Sequence, residues 1–281
     1  MLFRSAVLIF TVIWAIGSYI PVWHMAWSGV GLFSDWGVID FAGGTVVHIN
    51  AGIAGLVACI MLGKRKGLGG PNLAPHSVPF TVIGASLLWV GWFGFNAGSQ
   101  LAADGVAGFA MLVTQIATAA AVLAWIGVEW VISGKPTAVG AATGAVAGLV
   151  AITPASGTTT VTGALVIGIA AGIICYLGAT ALKRALGYDD SLDVFGVHGI
   201  GGIVGAVLTG VFLREVPEHG IATQTMIQIK AVGVTVVWSG VVAFIALLIA
   251  KVTVGLRVSE DEEQSGLDIT YHGEEAYNSD S

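Results

Sequence analysis

Long apolar segments alternate with short polar connections along most of this chain. Each apolar segment holds roughly 16–30 residues, and a helix needs about 20 residues to cross the apolar core of a bilayer. The segments are too long and too rich in glycine for strands, and they lack the alternation of a membrane barrel. The pattern therefore predicts eight membrane-spanning helices, at residues 5–27, 40–63, 79–101, 105–133, 138–153, 159–182, 194–213 and 224–251.

The composition agrees with an all-α, polytopic membrane helical bundle. Of the 281 residues, 56% are hydrophobic and 10% are charged, whereas a soluble domain carries about 25% charged residues. The 41 glycines fit this class, because small residues let transmembrane helices approach closely. Cys59 and Cys175 lie far apart in apolar segments and do not predict a disulfide. We expect no nucleic-acid partner and no cofactor.

The fifth predicted span, residues 138–153, is short for a bilayer core of about 30 Å. Gly140, Gly144 and Gly148 recur in it at every fourth position, which favours close helix packing. We therefore expect this span to lie in the interior of the protein.

The positions of the basic residues predict an orientation. Arg214 and Lys230 fall on one side of the predicted bundle, and the other nine of the eleven Lys and Arg residues fall at the start, in alternate connections or at the end. By the positive-inside rule, both termini are then cytoplasmic. We expect two domains, a transmembrane domain over 1–256 and a cytoplasmic tail over 257–281 that is rich in Asp and Glu.

Two histidines, His48 and His198, lie inside predicted spans, and each follows an aspartate and is flanked by glycines. An ionisable residue at bilayer depth is costly without a polar partner, so it indicates a functional site. A neutral imidazole can donate from one nitrogen and accept at the other. The pair can therefore pass a small polar molecule or relay a proton. Alternatively, each imidazole only satisfies a buried carbonyl or hydroxyl group.

Aspartates precede both of these histidine-containing spans. Asp40 stands where a carboxylate accepts hydrogen bonds from the first amides of a helix, which makes capping its expected role and cation binding the alternative. The same capping argument applies to Asp189, Asp190 and Asp193 before the seventh span.

The third span carries Trp92 and Phe95, and then Ser99 one helical turn after Phe95. Trp27 ends the first span on the same side of the predicted bundle. Aromatic faces and a hydroxyl group offer a small cation a cation–π contact and a hydrogen-bond acceptor. The alternative is an aromatic belt at the membrane surface, which binds no solute.

Several of these segments closely resemble the ammonium transporter (Amt) family, whose animal relatives are the Rhesus glycoproteins. The matching segments are Asp40–Asn50, Gly91–Ser99 and Asp193–Gly199, followed by Thr253–Arg257, Gly266–Asp268 and His272–Tyr277 in the last span and the tail. The family fold is a homotrimer of eleven-span subunits built from inverted repeats, each with its own pore. The resemblance implies that this chain is a plasma-membrane ammonium transporter and not an enzyme.

The resemblance also implies roles for individual residues. Trp27, Ser99 and Asp40 would belong to an external ammonium-recruitment site, with Asp40 shaping the site without contacting the ion. Phe95 would belong to a gate of phenylalanines, and His48 and His198 would line a hydrophobic pore for ammonia. The tail would bind a P-II-type nitrogen regulatory protein.

The eight predicted spans resemble the last eight of the eleven-span fold, so we expect the chain to be a fragment that lacks the first three spans. Two other functions within the family stay open, an ammonium sensor and a Rhesus-type channel for neutral ammonia or carbon dioxide. A third alternative is a haem protein with the two histidines as axial ligands.

Overall fold

The computed structural model describes residues 4–69 and 73–275, and these residues are almost entirely helical. Thirteen α-helices and four π-helical segments, labelled π1–π4, account for most of the described chain. The α-helices are Arg4–Trp14 (α1), Ile20–Trp27 (α2), Leu32–Trp36 (α3), Asn50–Leu62 (α4), Val78–Gly98 (α5), Gly105–Ser133 (α6), Ala138–Ile152 (α7), Val161–Leu177 (α8), Lys183–Leu186 (α9), Ile200–Val211 (α10), Gly220–Val254 (α11), Glu260–Ser265 (α12) and Leu267–His272 (α13). The π-helical segments are Ala15–Tyr19 (π1), Gly44–Ile49 (π2), Gly178–Leu182 (π3) and Phe195–Gly199 (π4).

Seven helical segments in the described residues are long and apolar enough to cross a membrane, where the sequence predicts eight. The remaining predicted span, 194–213, corresponds to the shorter apolar helix Phe195–Val211. This segment begins with a π-helical stretch that contains two glycines and packs against other helices, so it does not need the full length that a lipid-facing helix requires. The all-α membrane bundle is confirmed, and the count of eight membrane-length spans is not.

The fifth span is the most buried of the seven, as its short length predicts. In its most apolar stretch 72% of the residues are buried, against 6–44% in the other six spans. A Cβ atom added at Gly148 would lie 2.7 Å from Cβ of Ala121 in α6, and one at Gly144 would lie 2.7 Å from Cβ of Trp125. The glycines therefore allow α7 to approach α6 closely.

The order of helical elements occurs twice along the chain. In each copy an α-helix continues through a π-helical segment into a second α-helix, and a connection with an aspartate then leads to another π-helical segment and α-helix. The first copy comprises α1–π1–α2 and π2–α4, and the second comprises α8–π3–α9 and π4–α10. The first connection is longer because it contains α3. Residue His48 lies in π2 and residue His198 in π4, and π-helical segments are frequent at functional sites.

The two copies meet through reciprocal glycine contacts. A Cβ atom at Gly52 would lie 2.2 Å from the backbone nitrogen of Gly199. A Cβ atom at Gly202 would lie 3.0 Å from the backbone nitrogen of Ile49. Each glycine stands four residues after the histidine of its own copy and contacts the residue just after the histidine of the other. Reciprocal contacts of this kind are expected between two elements related by a two-fold axis, and here they relate the two copies within one chain.

Candidate functional site

The two histidines, 150 residues apart in sequence, meet side by side in the bundle. Nδ1 of His198 lies 3.3 Å from Nδ1 of His48, and the ring centroids are 5.4 Å apart. A hydrogen bond between these nitrogens needs one proton, so one ring donates from Nδ1 and the other accepts there. In the neutral pair, the donor ring then has an acceptor at Nε2 and the acceptor ring has a donor at Nε2. The pair therefore offers both functions to a solute.

The histidine pair lies in a groove of about 730 Å³. Apolar residues form most of its lining, including Val47 and Ala51 from the His48 side and Leu87 and Leu88 from α5. His48 is 2% exposed, and its Nε2 atom has no hydrogen-bond partner within residues 4–69 and 73–275. A buried polar atom without a partner is uncommon in native proteins and indicates a site for a solute or water.

Aromatic rings cover His48 on the α5 side. The Trp92 ring stacks on the His48 ring, with centroids 5.3 Å apart and planes at 17°. The Phe95 ring lies 5.9 Å from the His48 ring and 5.4 Å from the Trp92 ring. Because Trp92 is 8% exposed and donates from Nε1 to Oγ1 of Thr153, a membrane-surface belt is the wrong interpretation for this residue. The sequence contains a signal for this position of Trp92, because Trp92 and Phe95 are three residues apart and therefore lie on the same face of α5.

The Asp40 carboxylate organises the N-terminal end of π2. Oδ1 accepts from the amides of Gly43 and Gly44, at 2.9 and 2.6 Å. Oδ2 accepts from the amide of Thr45, at 2.8 Å, and from the Thr45 hydroxyl group. Both oxygens are therefore engaged by the segment that carries His48, which is the capping geometry expected for Asp40.

The residue that corresponds to Asp40 in the second copy is Asp190, which the sequence pattern groups with two neighbours. Asp190 is 3% exposed, and its Oδ2 accepts from the amide of Phe195, the first residue of π4, at 2.8 Å. Asp40 precedes His48 by eight residues and Asp190 precedes His198 by eight, so this equal spacing was the signal that could have found it. The prediction that all three aspartates cap the seventh span holds for Asp190 only.

The other two aspartates form ion pairs. Asp189 accepts from the backbone and side chain of Arg65, with the shortest contact at 2.6 Å, and these bonds lower the pKa of the carboxyl group. Asp193 pairs with the Lys183 ammonium group. Burial nonetheless raises the pKa of Asp193 above its usual value.

The predicted recruitment and gate residues form two hydrogen-bonded pairs. Trp27 donates from Nε1 to the backbone oxygen of Asp40, at 2.7 Å, and Ser99 donates to the backbone oxygen of Phe95, at 2.8 Å. Trp27 and Phe95 are partly exposed. No hydrogen bond joins one pair to the other in the part of the chain that the structure describes.

The histidine geometry argues against the haem alternative. The separation of 3.3 Å is a hydrogen-bond distance, and it leaves no space for an iron atom between the two Nδ1 nitrogens. No group of three or more His, Cys, Asp or Glu side chains within 4–69 and 73–275 is arranged to hold a metal ion.

These features define a multi-pass α-helical membrane protein with a buried histidine pair in an apolar groove. The sequence matches the Ammonium Transporter Family over residues 3–277. The chain belongs to this family, as its motifs predict.

Individual relatives match over nearly the whole of this chain. It is 50% identical to the ammonium transporter of Aquifex aeolicus over 280 residues, which cover 98% of this chain and 65% of the relative. The ammonium transporter of Bacillus subtilis is 47% identical over 97% of this chain and 69% of its own length. This chain therefore spans about two thirds of these relatives.

Solved structures agree with the fold. The crystal structure of Candida albicans Mep2 superposes with a TM-score of 0.83 at 34% identity, over 92% of this chain and 61% of that chain. A structure described as a sensor Amt protein has a TM-score of 0.83 at 32% identity, over 89% of this chain and 65% of its own.

Proposed function

We propose that this chain forms the conduction pathway of an ammonium transporter. The observation that carries the proposal is the His48–His198 pair in an apolar groove, with Nε2 of His48 buried and unpartnered in the described chain. Family membership and the ammonium transporters among the relatives support the substrate.

We propose that ammonium is first held at an outer mouth formed by Trp27 and Ser99, with Asp40 shaping the mouth through π2 and Phe95 gating the passage beneath. A cation that loses water there gains a cation–π contact with the aromatic faces, and the Ser99 hydroxyl oxygen can accept a hydrogen bond from it. The partial exposure of the Trp27 and Phe95 rings supports this role.

Ammonium then gives up one proton and becomes ammonia, because an unpaired cation in an apolar groove is far more costly than a small neutral molecule. An imidazole nitrogen with a free lone pair can accept this proton, and a ring N–H can donate to ammonia. The Nδ1–Nδ1 contact requires only one proton, so the pair tolerates one positive charge but not two. We propose that ammonia and the proton cross separately, with the histidines carrying one or both.

The test is ammonium-driven current and methylammonium uptake by the complete gene product in liposomes. His48→Ala and His198→Ala should abolish the current or strongly change its selectivity, because each removes one member of the pair. His24→Ala is the matched control, since His24 is an exposed histidine of α2. Unchanged current in both pore variants would refute the proposal.

The same recording separates transport of ammonium from a neutral gas channel. Net charge movement that scales with ammonium supports the proposed transporter. Uptake without current, together with carbon dioxide permeation, would instead favour the Rhesus-type channel.

A sensor role is the second candidate, because one similar structure is described as a sensor Amt protein. A sensor would bind ammonium at the same mouth and signal through the tail, with conduction incidental. A pore variant that does not conduct would be expressed in a strain that lacks the gene. If it restores the response to ammonium, the sensor is favoured, since signalling then survives without uptake.

We further propose a homotrimer in the plasma membrane, with both termini cytoplasmic, and a P-II-type nitrogen regulatory protein at the tail, residues 257–281. The excess of basic residues at the tail end of the bundle supports the orientation. An apolar groove of about 610 Å³ between α6 and α8, and the largely exposed α5, support contact with lipid or a neighbouring subunit. Residues Ala276 and Tyr277 of the tail motif lie outside the described residues.

A further inference from the structure

Two glutamines near the start of α11 are almost completely buried in the bundle. Gln224 and Gln228 are each 1% exposed and lie one helical turn apart, on the same helix face. A buried amide costs free energy unless its donors and acceptor are hydrogen-bonded. Their partners show what holds them there.

Both side chains form hydrogen bonds with the backbone just before Asp40. Gln228 accepts at Oε1 from the amide of Ile39, at 2.9 Å, and donates from Nε2 to the carbonyl of Ile39, at 2.7 Å. It also donates to the carbonyl of Ala206 in α10, at 3.0 Å. Gln224 donates to the carbonyl of Gly37, at 2.9 Å, and to Oε1 of Gln228, at 3.3 Å.

The backbone partners fix the orientation of both amides. A carbonyl can only accept, so Nε2 of Gln228 must face the oxygens of Ile39 and Ala206, and Nε2 of Gln224 must face the oxygen of Gly37. Oε1 of Gln224 then faces Nε2 of His219, at 2.8 Å, which must donate. We call Gln224 and Gln228 together the glutamine ladder.

The ladder and two other elements hold every peptide unit from Gly37 to Phe41. The ladder holds the first three of these units, through the oxygen of Gly37 and the nitrogen and oxygen of Ile39. The fourth unit is held on both sides, because Trp27 donates to its oxygen and its nitrogen donates to the Pro154 carbonyl, at 3.0 Å. The backbone of the mouth is therefore fixed from α11, from α2 and from the segment after α7.

We propose that the glutamine ladder, and Gln228 above all, positions the ammonium-recruiting mouth. This inference rests on the proposed function. Gln228 holds the peptide that joins Ile39 to Asp40, and the next peptide carries the oxygen that orients the Trp27 indole. Loss of the ladder leaves this segment free to shift, which displaces the Trp27 ring face from the position that meets the cation.

The ladder acts on recruitment and not on the later steps. The π2 segment that carries His48 keeps an anchor that lies outside residues 37–41, the glycine contacts with the second copy. Weakened positioning of the mouth therefore raises the half-saturating substrate concentration and leaves the maximal rate nearly unchanged.

The test uses Gln228→Met and Gln224→Met in the complete gene product. Methionine has an unbranched side chain of similar length and adds no charge, so it removes the hydrogen bonds with little change in volume. Thr225→Ala is the control, because the half-buried Thr225 donates from its hydroxyl group to the Ile221 carbonyl of its own helix and takes no part in the ladder. The two readouts are the concentration dependence of methylammonium uptake and the hydrogen-exchange rate of peptides covering residues 37–41.

Gln228→Met should raise the half-saturating concentration about tenfold, equivalent to one or two net hydrogen bonds, with the maximal rate within about twofold. Gln224→Met should have a smaller effect in the same direction, and Thr225→Ala none. Exchange of residues 37–41 should accelerate in the same order.

An unchanged half-saturating concentration in folded Gln228→Met would overturn the inference, and so would a fall in maximal rate alone. If Gln228→Met does not fold, the same criteria apply to Gln224→Met. Failure of the proposed function has a different signature, since the unaltered protein would then show no uptake at all. In that case the hydrogen-exchange rates would still test whether the ladder positions residues 37–41. Unchanged exchange in both variants would overturn the inference.

Discussion

At the scale of single residues, the meeting of His48 and His198 depends on glycines at the contact between the helices that carry them. The Nδ1 atoms of His48 and His198 lie 3.3 Å apart because the backbones of π2–α4 and π4–α10 approach each other closely. Gly52 permits the closest of these approaches, because a Cβ atom added to it would lie 2.2 Å from the Gly199 nitrogen. A side chain there would have to displace backbone atoms, which cannot rotate out of the way.

Gly52→Ala should therefore destabilise the protein by about 1–3 kcal/mol or more, the usual cost of overpacking. Gly202→Ala should cost less, because its Cβ would meet its neighbours at 2.9–3.1 Å. The difference in stability is measured by thermal unfolding of the purified proteins in detergent, with the loss of monodispersity as the signal.

Gly233→Ala is the control for this series, since a Cβ atom at Gly233 in α11 would meet nothing within 4 Å. It should leave stability unchanged or raise it by up to about 1 kcal/mol, from the better helix propensity of alanine. Equal unfolding temperatures for Gly52→Ala and Gly233→Ala would contradict the close approach.

At the scale of elements, the two π-helical segments with histidines have equivalent caps that differ in strength. The Asp40 carboxylate accepts four hydrogen bonds at π2, through both of its oxygens. The Asp190 carboxylate accepts one, through a single oxygen, from the first residue of π4. The second copy has additional support nearby, because Asp189 and Asp193 hold Arg65 and Lys183.

Asp40→Asn should consequently lower stability more than Asp190→Asn. An asparagine at 40 turns an NH₂ group toward amide or hydroxyl donors and loses at least one bond, at about 1–3 kcal/mol for the buried group left unpaired. An asparagine at 190 keeps the bond from Phe195 with its remaining oxygen. Both variants remove one negative charge near a helix N-terminus, so the dipole contribution is matched.

The unfolding temperatures of Asp40→Asn and Asp190→Asn, compared in one buffer, give the readout. A larger loss for Asp190→Asn would show that the cap of π4 is the stronger one.

At the scale of the whole molecule, hydrogen bonds connect the tail to the end of the His48 helix. Arg257 donates to the carbonyls of Leu62, the last residue of α4, and of Lys64 just beyond it. It also forms an ion pair with Glu263, at 2.6 Å. The Arg257 guanidinium lowers the pKa of Glu263, so the ion pair is present at neutral pH and is lost only as the pH falls below the usual range for a glutamate. Glu263 also accepts from the amide of Lys66, at 3.1 Å.

Arg257→Gln should release residues 258–275 from the bundle, because the glutamine amide cannot maintain the bonds to two carbonyls and a carboxylate together. We expect a Glu-specific protease to cleave the tail several-fold faster, since local opening exposes the backbone. Lys251→Gln, at an exposed position of α11, is the control.

Deletion of the tail tests the proposed partner. Membranes with the unaltered protein should retain a P-II-type protein, and deletion of 258–281 should remove it while basal transport persists. No retention under any nucleotide or 2-oxoglutarate condition would remove the partner from the proposal.

The sequence by itself determined the helical class, the approximate bounds of most spans and the family. Apolar length and the absence of strand alternation depend only on neighbouring positions, and so does the spacing of glycines that indicated a buried fifth span. The motifs around Asp40, His48 and His198 are also local. The number of membrane-length spans was less secure, because a helix shielded by protein does not need to match the bilayer, as Phe195–Val211 shows.

Only the tertiary structure decided which side chains meet. The histidines lie 150 residues apart, and Gln228 holds Ile39 across 189 residues. The stacking of Trp92 on His48 and the choice of Asp190 as the cap also depend on how distant helices pack. A helix shows the periodicity of its faces in its sequence, but the partner of each face is set by the close packing of the whole bundle, which no local pattern contains.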